Sequence, residues 1–405
     1  MDALTTPLNW QRVRLGDVTE IIGGGTPSTQ VTSFWNGSIN WFTPTEIGIT
    51  KYVHKSQRTI TPLGLKKSSA KLLPIGTILL TSRASIGDCA ILKEIATTNQ
   101  GFQSLIPLEK INNEFLYYLI LTLKNKLLEL ASGSTFLEVS PNKIKNLLIP
   151  LPPLNEQIAI ANILSDVDHY LYSLDALILK KESVKKALSF ELLSQRKCLK
   201  GFNQAWQRVR LGDIGITISG LVGKTKQDFI NGNAKYITFL NVLNNFIIDT
   251  SILENVKIYP NEKQNSFKKY DLFFNTSSET PKEVGMCAVL LDDIDQVFLN
   301  SFCFGFRIFD KAVDGLFLSY LINSEIGRKA FENLAQGSTR YNLSKSGFNN
   351  VCLFLPPLNE QIAIANVLSA LDHEIISLKN KKRQFDNIKK ALNHDLMSAK
   401  IRVLK

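Results

Sequence analysis

Residues 151–162 read LPPLNEQIAIAN, and residues 355–366 read LPPLNEQIAIAN again. Twelve consecutive identities do not arise by chance, so the chain carries an internal duplication. The correspondence continues at the same offset: Leu164-Ser165 with Leu368-Ser369, Asp168-His169 with Asp372-His373, and Lys185-Lys186-Ala187-Leu188 with Lys389-Lys390-Ala391-Leu392. It reaches backwards from Gly133-Ser134-Thr135 to Gly337-Ser338-Thr339 and from Ser140 to Ser344. A second block, WQRVRLGD, stands at 10–17 and at 206–213. Between these anchors the copies diverge: TILLTSRASIGDCAI at 77–91 faces YDLFFNTSSETPKEVGMCAVL at 270–290. Like ends around unlike middles imply that the shared parts bind one thing twice and the middles bind different things.

The shared block reads as a long helix. Pro152-Pro153 cannot lie inside it, Asn155 is a fair N-cap, and Glu156 suits the first turn. Apolar positions recur at Ile160, Leu164, Val167, Leu171, Leu174 and Ile178, resuming at Val184, Leu188 and Leu192. The second copy follows with Ile364, Leu368, Leu371, Ile375 and Leu378, then Phe385, Ile388, Leu392 and Leu396. No Pro or Gly interrupts the first run before Gly201. A helix from Asn155 to Lys200 spans about 70 Å at the α-helical rise, and its near-heptad stripe predicts an antiparallel coiled coil with pseudo-twofold symmetry. Two separate helices, each packed on its own domain, are the alternative. The middles predict mixed α/β domains, with strands at Thr77–Leu80, Ala90–Leu92, Tyr236–Leu240, Asp271–Phe274, Ala288–Leu291 and Phe304–Phe309. Phe115–Leu130 and Leu316–Leu334 read as amphipathic helices. The fold class is therefore α+β. Residues 1–150 and 201–354 form two α/β domains, with helices at 151–200 and 355–405.

The chain has 405 residues, 44% apolar and 20% charged, the balance of a globular protein with two or three cores. No apolar run reaches the ~18–20 residues of a membrane span. Met1 to Trp10 lacks a basic start and an apolar stretch, so a cytoplasmic protein without a secretory signal is expected. Five scattered cysteines and four histidines predict neither a disulfide framework nor a metal site.

Enzyme signatures fail one by one. Gly223-Lys224-Thr225 imitates the end of a P-loop, but the first glycine would fall at Ile218. Gly23-Gly24-Gly25 is not followed by a dinucleotide or S-adenosylmethionine fingerprint. The two Pro-Pro pairs follow Leu151 and Leu355, so the motif of the amino-methyltransferases is absent, as are H-E-x-x-H and G-x-S-x-G. His169 and His373, each after an Asp, read as solvated or intra-coil residues. A chain without catalytic residues is expected.

The net charge is +11, which favours a polyanionic partner. From Lys51 to Gly87 there are seven basic residues (Lys51, Lys55, Arg58, Lys66, Lys67, Lys71 and Arg83) and no acidic one. Hydroxyl and amide side chains lie among them, so the stretch can neutralise phosphates and reach base edges. A merely solvated lysine-rich face is the plainer alternative. In the second copy Lys224, Lys226, Lys235, Lys257, Lys263, Lys268 and Lys269 are interspersed with acids, and Arg340-Tyr341-Asn342 is a further candidate.

Gly24-Gly25-Thr26-Pro27-Ser28, Ile39-Asn40-Trp41-Phe42-Thr43-Pro44, Thr81-Ser82-Arg83-Ala84-Ser85-Ile86-Gly87 and Asn99-Gln100-Gly101-Phe102 stand in an order that resembles the specificity subunit of type I restriction–modification enzymes. Pro150–Gln157 and Leu355–Gln361 look like the openings of that family's two spacer helices. The resemblance covers essentially the whole chain. It implies two target-recognition domains, each reading one half of an asymmetric bipartite DNA site. It also implies two helices that set the spacing and dock two methyltransferase (modification) subunits. S-adenosylmethionine, ATP and Mg belong to the partner subunits, restriction subunits included, and no cofactor to this chain.

On this resemblance and the charge pattern, the expected DNA contacts are Thr26, Ser28, Thr43, Lys51, Lys55, Arg58, Lys66, Lys67, Arg83 and Ser85 in the first copy. Those in the second are Lys224, Lys226, Lys268, Lys269, Arg340 and Tyr341. The expected docking residues are Pro153, Asn155, Glu156 and Gln157, with Pro357, Asn359, Glu360 and Gln361. The second copy departs from the pattern, with Ser219-Gly220-Leu221-Val222-Gly223-Lys224 in place of Gly-Gly-Thr-Pro-Ser. The alternatives are a type IIB-like specificity subunit and a coiled-coil scaffold that touches no DNA.

Overall fold

The computed structural model describes residues 7, 9–133, 137–332, 334, 336–337 and 340–403. The repeated Ser134-Thr135 and Ser338-Thr339 lie outside the described residues. The chain divides into two compact units, Met1–Ala176 with Asn380–Lys405, and Leu177–Lys379.

The first unit is built on a five-stranded sheet in the order Thr19–Gly23, Gln103–Pro107, Ile78–Leu80, Cys89–Leu92, Tyr52–Val53. Its central strands are buried on both faces, which explains their unbroken apolar runs. Alternation sends Ile78, Leu80, Cys89 and Ile91 toward the helix Asn113–Thr122, and Leu79, Ala90 and Leu92 toward a second core with Phe42 and Phe102. A three-stranded sheet of Arg58–Ile60, Trp35–Phe42 and Ala96–Thr98 adjoins it. Gln11–Arg14 pairs antiparallel with Leu148–Leu151, so the two blocks of sequence shared between the copies meet in one ribbon.

The second unit follows the same plan. Its four-stranded sheet runs Gly215–Ser219, Cys303–Ile308, Leu272–Asn275, Cys287–Val289, beside a three-stranded sheet of Glu254–Val256, Ala234–Ile237 and Val297–Leu299. Leu272, Phe274, Cys287 and Val289 face one core, while Phe273, Ala288 and Leu290 face the other. Gln207–Arg210 pairs with Cys352–Leu355 in the equivalent ribbon.

Three expected elements differ. The strand placed over Tyr236–Leu240 stops at Ile237, because the Thr238 hydroxyl accepts from Asn241 N at 3.2 Å and caps a short helix, Phe239–Asn244. The helix expected over Phe115–Leu130 is two helices, Asn113–Thr122 and Lys124–Leu130, broken at Leu123. The one over Leu316–Leu334 breaks at Ser324, whose hydroxyl accepts from Gly327 N to begin Glu325–Glu332 after Gly315–Asn323.

The two long helices are Leu154–Leu193 and Leu358–Met397, 40 residues each, about 60 Å long at 1.5 Å per residue. The first stops short of the expected Lys200. Gln195 takes the left-handed conformation at φ 59°, as Ala399 does at φ 58° after the second helix, and this ends each one. In the first unit residues 154–176 lie antiparallel to residues 380–397. Asp168 meets Lys389, and seven residues on Asp175 meets Lys382, seven residues back, at 2.6 Å. Ile160, Ala161 and Leu164 share a core with Leu396 and Met397. In the second unit Lys185–Asp372 (2.5 Å), Lys181–Glu374 (2.8 Å) and Glu182–Lys379 (2.6 Å) set the same antiparallel sense. No helix among the described residues is long and apolar enough to cross a membrane.

Candidate nucleic-acid interface

In the first unit four loops are tied together by backbone bonds. Gly25 N donates to Thr98 O (2.8 Å), Ser82 N to Gly101 O (2.7 Å) and Val139 N to Ser82 O (3.1 Å). The Asn99 side chain closes the turn 99–101 by accepting from Gly101 N at 2.8 Å. A Cβ at Gly24 would collide with the Asn99 and Thr98 carbonyls, which is why this position is glycine. Gln100 stands exposed at the tip, its Oε1 accepting from Thr26 Oγ1 at 2.5 Å. Arg83, next to Ser82, pairs with Glu138 at 2.9 Å. Thr43 caps the following turn through its N–H and hydroxyl, both bonded to Glu46 Oε2 at 2.8 and 2.7 Å. On the adjoining small sheet Trp35 and Trp41 meet edge to face at 5.0 Å, and the Arg58 guanidinium lies 3.8 Å from the Trp35 ring centroid. Trp35 Nε1 donates to Ser28 O at 3.0 Å and Trp41 Nε1 to Gly25 O at 2.8 Å, so this aromatic pair anchors the glycine loop.

The second unit repeats these bonds with different side chains. Leu221 N donates to Leu299 O (2.8 Å), Thr276 N to Phe302 O (2.9 Å) and Leu343 N to Thr276 O (2.8 Å). Asn300 Oδ1 accepts from Phe302 N at 2.8 Å, as Asn99 does from Gly101. Gly220 is again a position where a Cβ would strike carbonyls, those of Asn300 and Leu299. Thus Ser219-Gly220-Leu221, unlike Gly-Gly-Thr-Pro-Ser by letter, is its structural equivalent. Ser277–Ser278 pairs with Tyr341–Asn342, which brings Arg340 and Tyr341 to the same loop cluster.

The model of the type I restriction modification DNA specificity domain matches residues 7–181 and again 203–385. The chain belongs to the type I restriction–modification specificity family. It is 30% identical over 298 residues to the type I restriction enzyme MjaIX specificity subunit of Methanocaldococcus jannaschii, covering 68% of each chain. To the EcoR124I/EcoR124II specificity subunit of Escherichia coli it is 36% identical over 161 residues, 38% of this chain and 40% of the relative. Its fold is that of the type I S subunit from M. genitalium (TM-score 0.59, 16% identity, 97% of both chains) and of the HsdS subunit from Thermoanaerobacter tengcongensis (TM-score 0.53, 17% identity, 98% and 99%).

Within the two specificity domains the predicted contacts separate into groups. Thr26, Ser28, Thr43, Arg83 and Ser85 lie on the tied loops; Arg58 is exposed on the small sheet, Lys55 on the loop before it, and Lys66 and Lys67 at the end of the helix Pro62–Lys66. Lys51 is a correction. Its side chain is 11% exposed, and its ammonium is held by Glu114 (2.6 Å), Tyr118 Oη (2.9 Å) and Ser165 Oγ (3.4 Å), leaving it inside the fold. Burial first, and then the bond to Asp168, push the Tyr118 hydroxyl pKa well up. Lys224 is a second correction, 5% exposed and bonded to Glu262 and to Lys257 O (2.6 Å). Lys268 and Lys269 precede the strand Leu272–Asn275, whereas the loop at Thr276 follows it, so the strand keeps them from the cluster. Lys226 is exposed on a separate turn, Lys226–Phe229.

Four expected docking residues are also corrected, because they are buried instead of facing out. Gln157 is buried; its Oε1 accepts from Asn112 N (2.8 Å) and its Nε2 donates to Lys110 O (3.0 Å) and Pro152 O (2.8 Å). Gln361 does the same with Asp314 N (2.9 Å), Ala312 O (3.0 Å) and Pro356 O (2.7 Å). Glu156 is buried against Trp10 Nε1 (3.1 Å) and Arg402 (2.8 Å). Glu360 is equally buried, with Oε2 lacking a hydrogen-bond partner among the described residues. Pro153, Asn155 and Asn359 are exposed and Pro357 half-buried. Beside them Leu154, Ile158 (42%) and Ile362 (41%) present apolar surface. Asn99 and Gln100 stand in a motif that carried the resemblance but were not among the expected contacts, and Asn300 was missed altogether. The signal available was an Asn two residues before the donor it caps, present in both copies.

Proposed function

We propose that this chain is the non-catalytic sequence-reading subunit of a type I restriction–modification complex. Residues 1–150 and 201–354 each read one half of an asymmetric bipartite DNA site. The observation that carries this reading is the repeated loop scaffold: one set of backbone bonds in both units, bearing Thr26, Arg83 and Gln100 in one and Val222, Ser277 and Ser301 in the other. A common frame with exchanged side chains suits two readers of different half-sites. The exposed cations Lys55, Arg58, Lys66 and Lys67 supply phosphate contacts.

The long helices set the half-site spacing. The identical helix starts each dock one of two modification subunits through Pro153, Leu154, Asn155 and Ile158, and through Pro357, Asn359 and Ile362. S-adenosylmethionine, ATP and Mg act on the modification and restriction subunits. The complex works in the cytoplasm, where the DNA is.

The test is a modified-base map of DNA from cells co-expressing the chain with its modification subunit, set against cells lacking the chain. A bipartite methyladenine motif that requires the chain is expected. A map unchanged by the chain overturns the reading in favour of a scaffold.

A further inference from the structure

Resting on the reading above, we propose that two exposed side chains on the Asn-closed turns, Gln100 in the first unit and, one position further along its turn, Phe302 in the second, are base-reading residues. The turns are equivalent by their hydrogen bonds: Asn99 caps Gly101 N and Asn300 caps Phe302 N, each at 2.8 Å. Gly101 O and Phe302 O in turn accept from Ser82 N and Thr276 N. The frame is therefore complete without the outward side chains, and the two units differ at both outward positions: Gln100 stands where the second unit has Ser301, and Phe302 where the first has Gly101.

Chemistry assigns each tip a preference. Gln100 Oε1 is engaged by the Thr26 hydroxyl at 2.5 Å, and among the described residues its NH2 meets no acceptor. A glutamine oriented in this way offers donors, which match the guanine major-groove edge with acceptors at N7 and O6. Phe302 is 57% exposed. Its backbone oxygen also accepts from Thr276 Oγ1 at 2.8 Å and its N–H is held by Asn300, so the main chain is occupied and the ring is what the residue has left to offer. An apolar ring at a base edge matches the thymine methyl group. Each tip thus reads one base, in different half-sites.

The experiment maps methylation in cells co-expressing the modification subunit with wild type, Gln100→Ala or Phe302→Ala. Binding of each purified complex to wild-type and single-base-variant DNA is measured in parallel, so that discrimination is read even where methylation falls. Gln100→Ala is expected to lower discrimination at one guanine of one half-site roughly 10- to 100-fold, leaving the other half-site intact. Phe302→Ala is expected to relax one thymine of the other half-site. A bipartite wild-type motif unchanged by both substitutions overturns the tip assignment alone. Relaxation in both half-sites, or at bases other than guanine and thymine, overturns it too. A wild-type map with no bipartite motif overturns both this inference and the reading on which it rests.

Discussion

Asp168, on the first long helix, accepts at once from the Lys389 ammonium of the second and from the Tyr118 hydroxyl of the first recognition domain. The second unit contains the same trio: Asp372 binds Lys185 at 2.5 Å and Tyr320 Oη at 2.6 Å. Asp168 and Asp372 are one position in the repeat, as are Lys185 and Lys389. In an antiparallel pair each copy's aspartate meets the other copy's lysine, so one pair of letters written twice is satisfied twice.

Asp168→Asn is expected to lower the stability of the first unit by about 1–3 kcal/mol. It leaves Lys389 short of a counter-charge in a partly buried site, and the partial exposure keeps the cost below that of a fully buried pair. A double-mutant cycle with Lys389→Met, read by chemical denaturation, should return a coupling of about 1 kcal/mol. Strict additivity would remove the trio as a stabilising unit.

Gln157→Ala and Gln361→Ala are expected to cost about 2–4 kcal/mol each, because each strands a buried backbone N–H and two carbonyls. Ile158→Asp with Ile362→Asp touches only exposed positions. Those two should leave the unfolding midpoint within about 0.5 kcal/mol of wild type while reducing co-purification of the modification subunit. The opposite pattern, stable Gln variants that no longer bind the partner, would return these residues to the docking surface.

Among the basic residues, Lys66→Ala should weaken DNA binding at all sequences and reduce the salt slope by about one unit. Lys51→Ala should lower stability and leave the slope as it is. A reduced slope for Lys51→Ala would mean that its ammonium reaches phosphate after all.

Glu360 supplies a pH test. Burial raises its carboxyl pKa above the usual 4.5, so the folded state holds its proton more tightly than the unfolded chain does. Stability from this group is then full below pH ~4.5 and lost as pH rises through the raised value. Glu360→Gln should be as stable as wild type or more so at pH 7, and the two should converge near pH 4. Glu156→Gln, which deprives Arg402 of its partner, should destabilise at pH 7. If both substitutions behaved alike across this range, the difference between the two carboxylates would have no energetic meaning.

The helix pair was legible because repetition and heptad spacing are properties of letters. Leu164 and Leu368, or Asp168 and Asp372, announce themselves by identity. Which cations face outward was not legible. Lys51 and Lys66 sit in one acid-free run, and only the fold reveals Glu114, distant in sequence, beside Lys51. The same holds for Gln157 and Gln361, where identity in both copies reflects a buried tie to Lys110 and Ala312 carbonyls and not a surface for a partner. Equivalence of Gly24 with Gly220 escaped because backbone bonds preserve it, and backbone bonds accept nearly any side chain.

The Asn99 and Asn300 turns close on themselves, side chain to main chain. A change of letter at the outward position therefore leaves the frame's folding free energy nearly constant. On the assignment proposed above, sequence drift at such a tip explores new targets one codon at a time, while selection on the frame sees nothing. Diversification of what is read is thereby uncoupled from the survival of the protein that reads it.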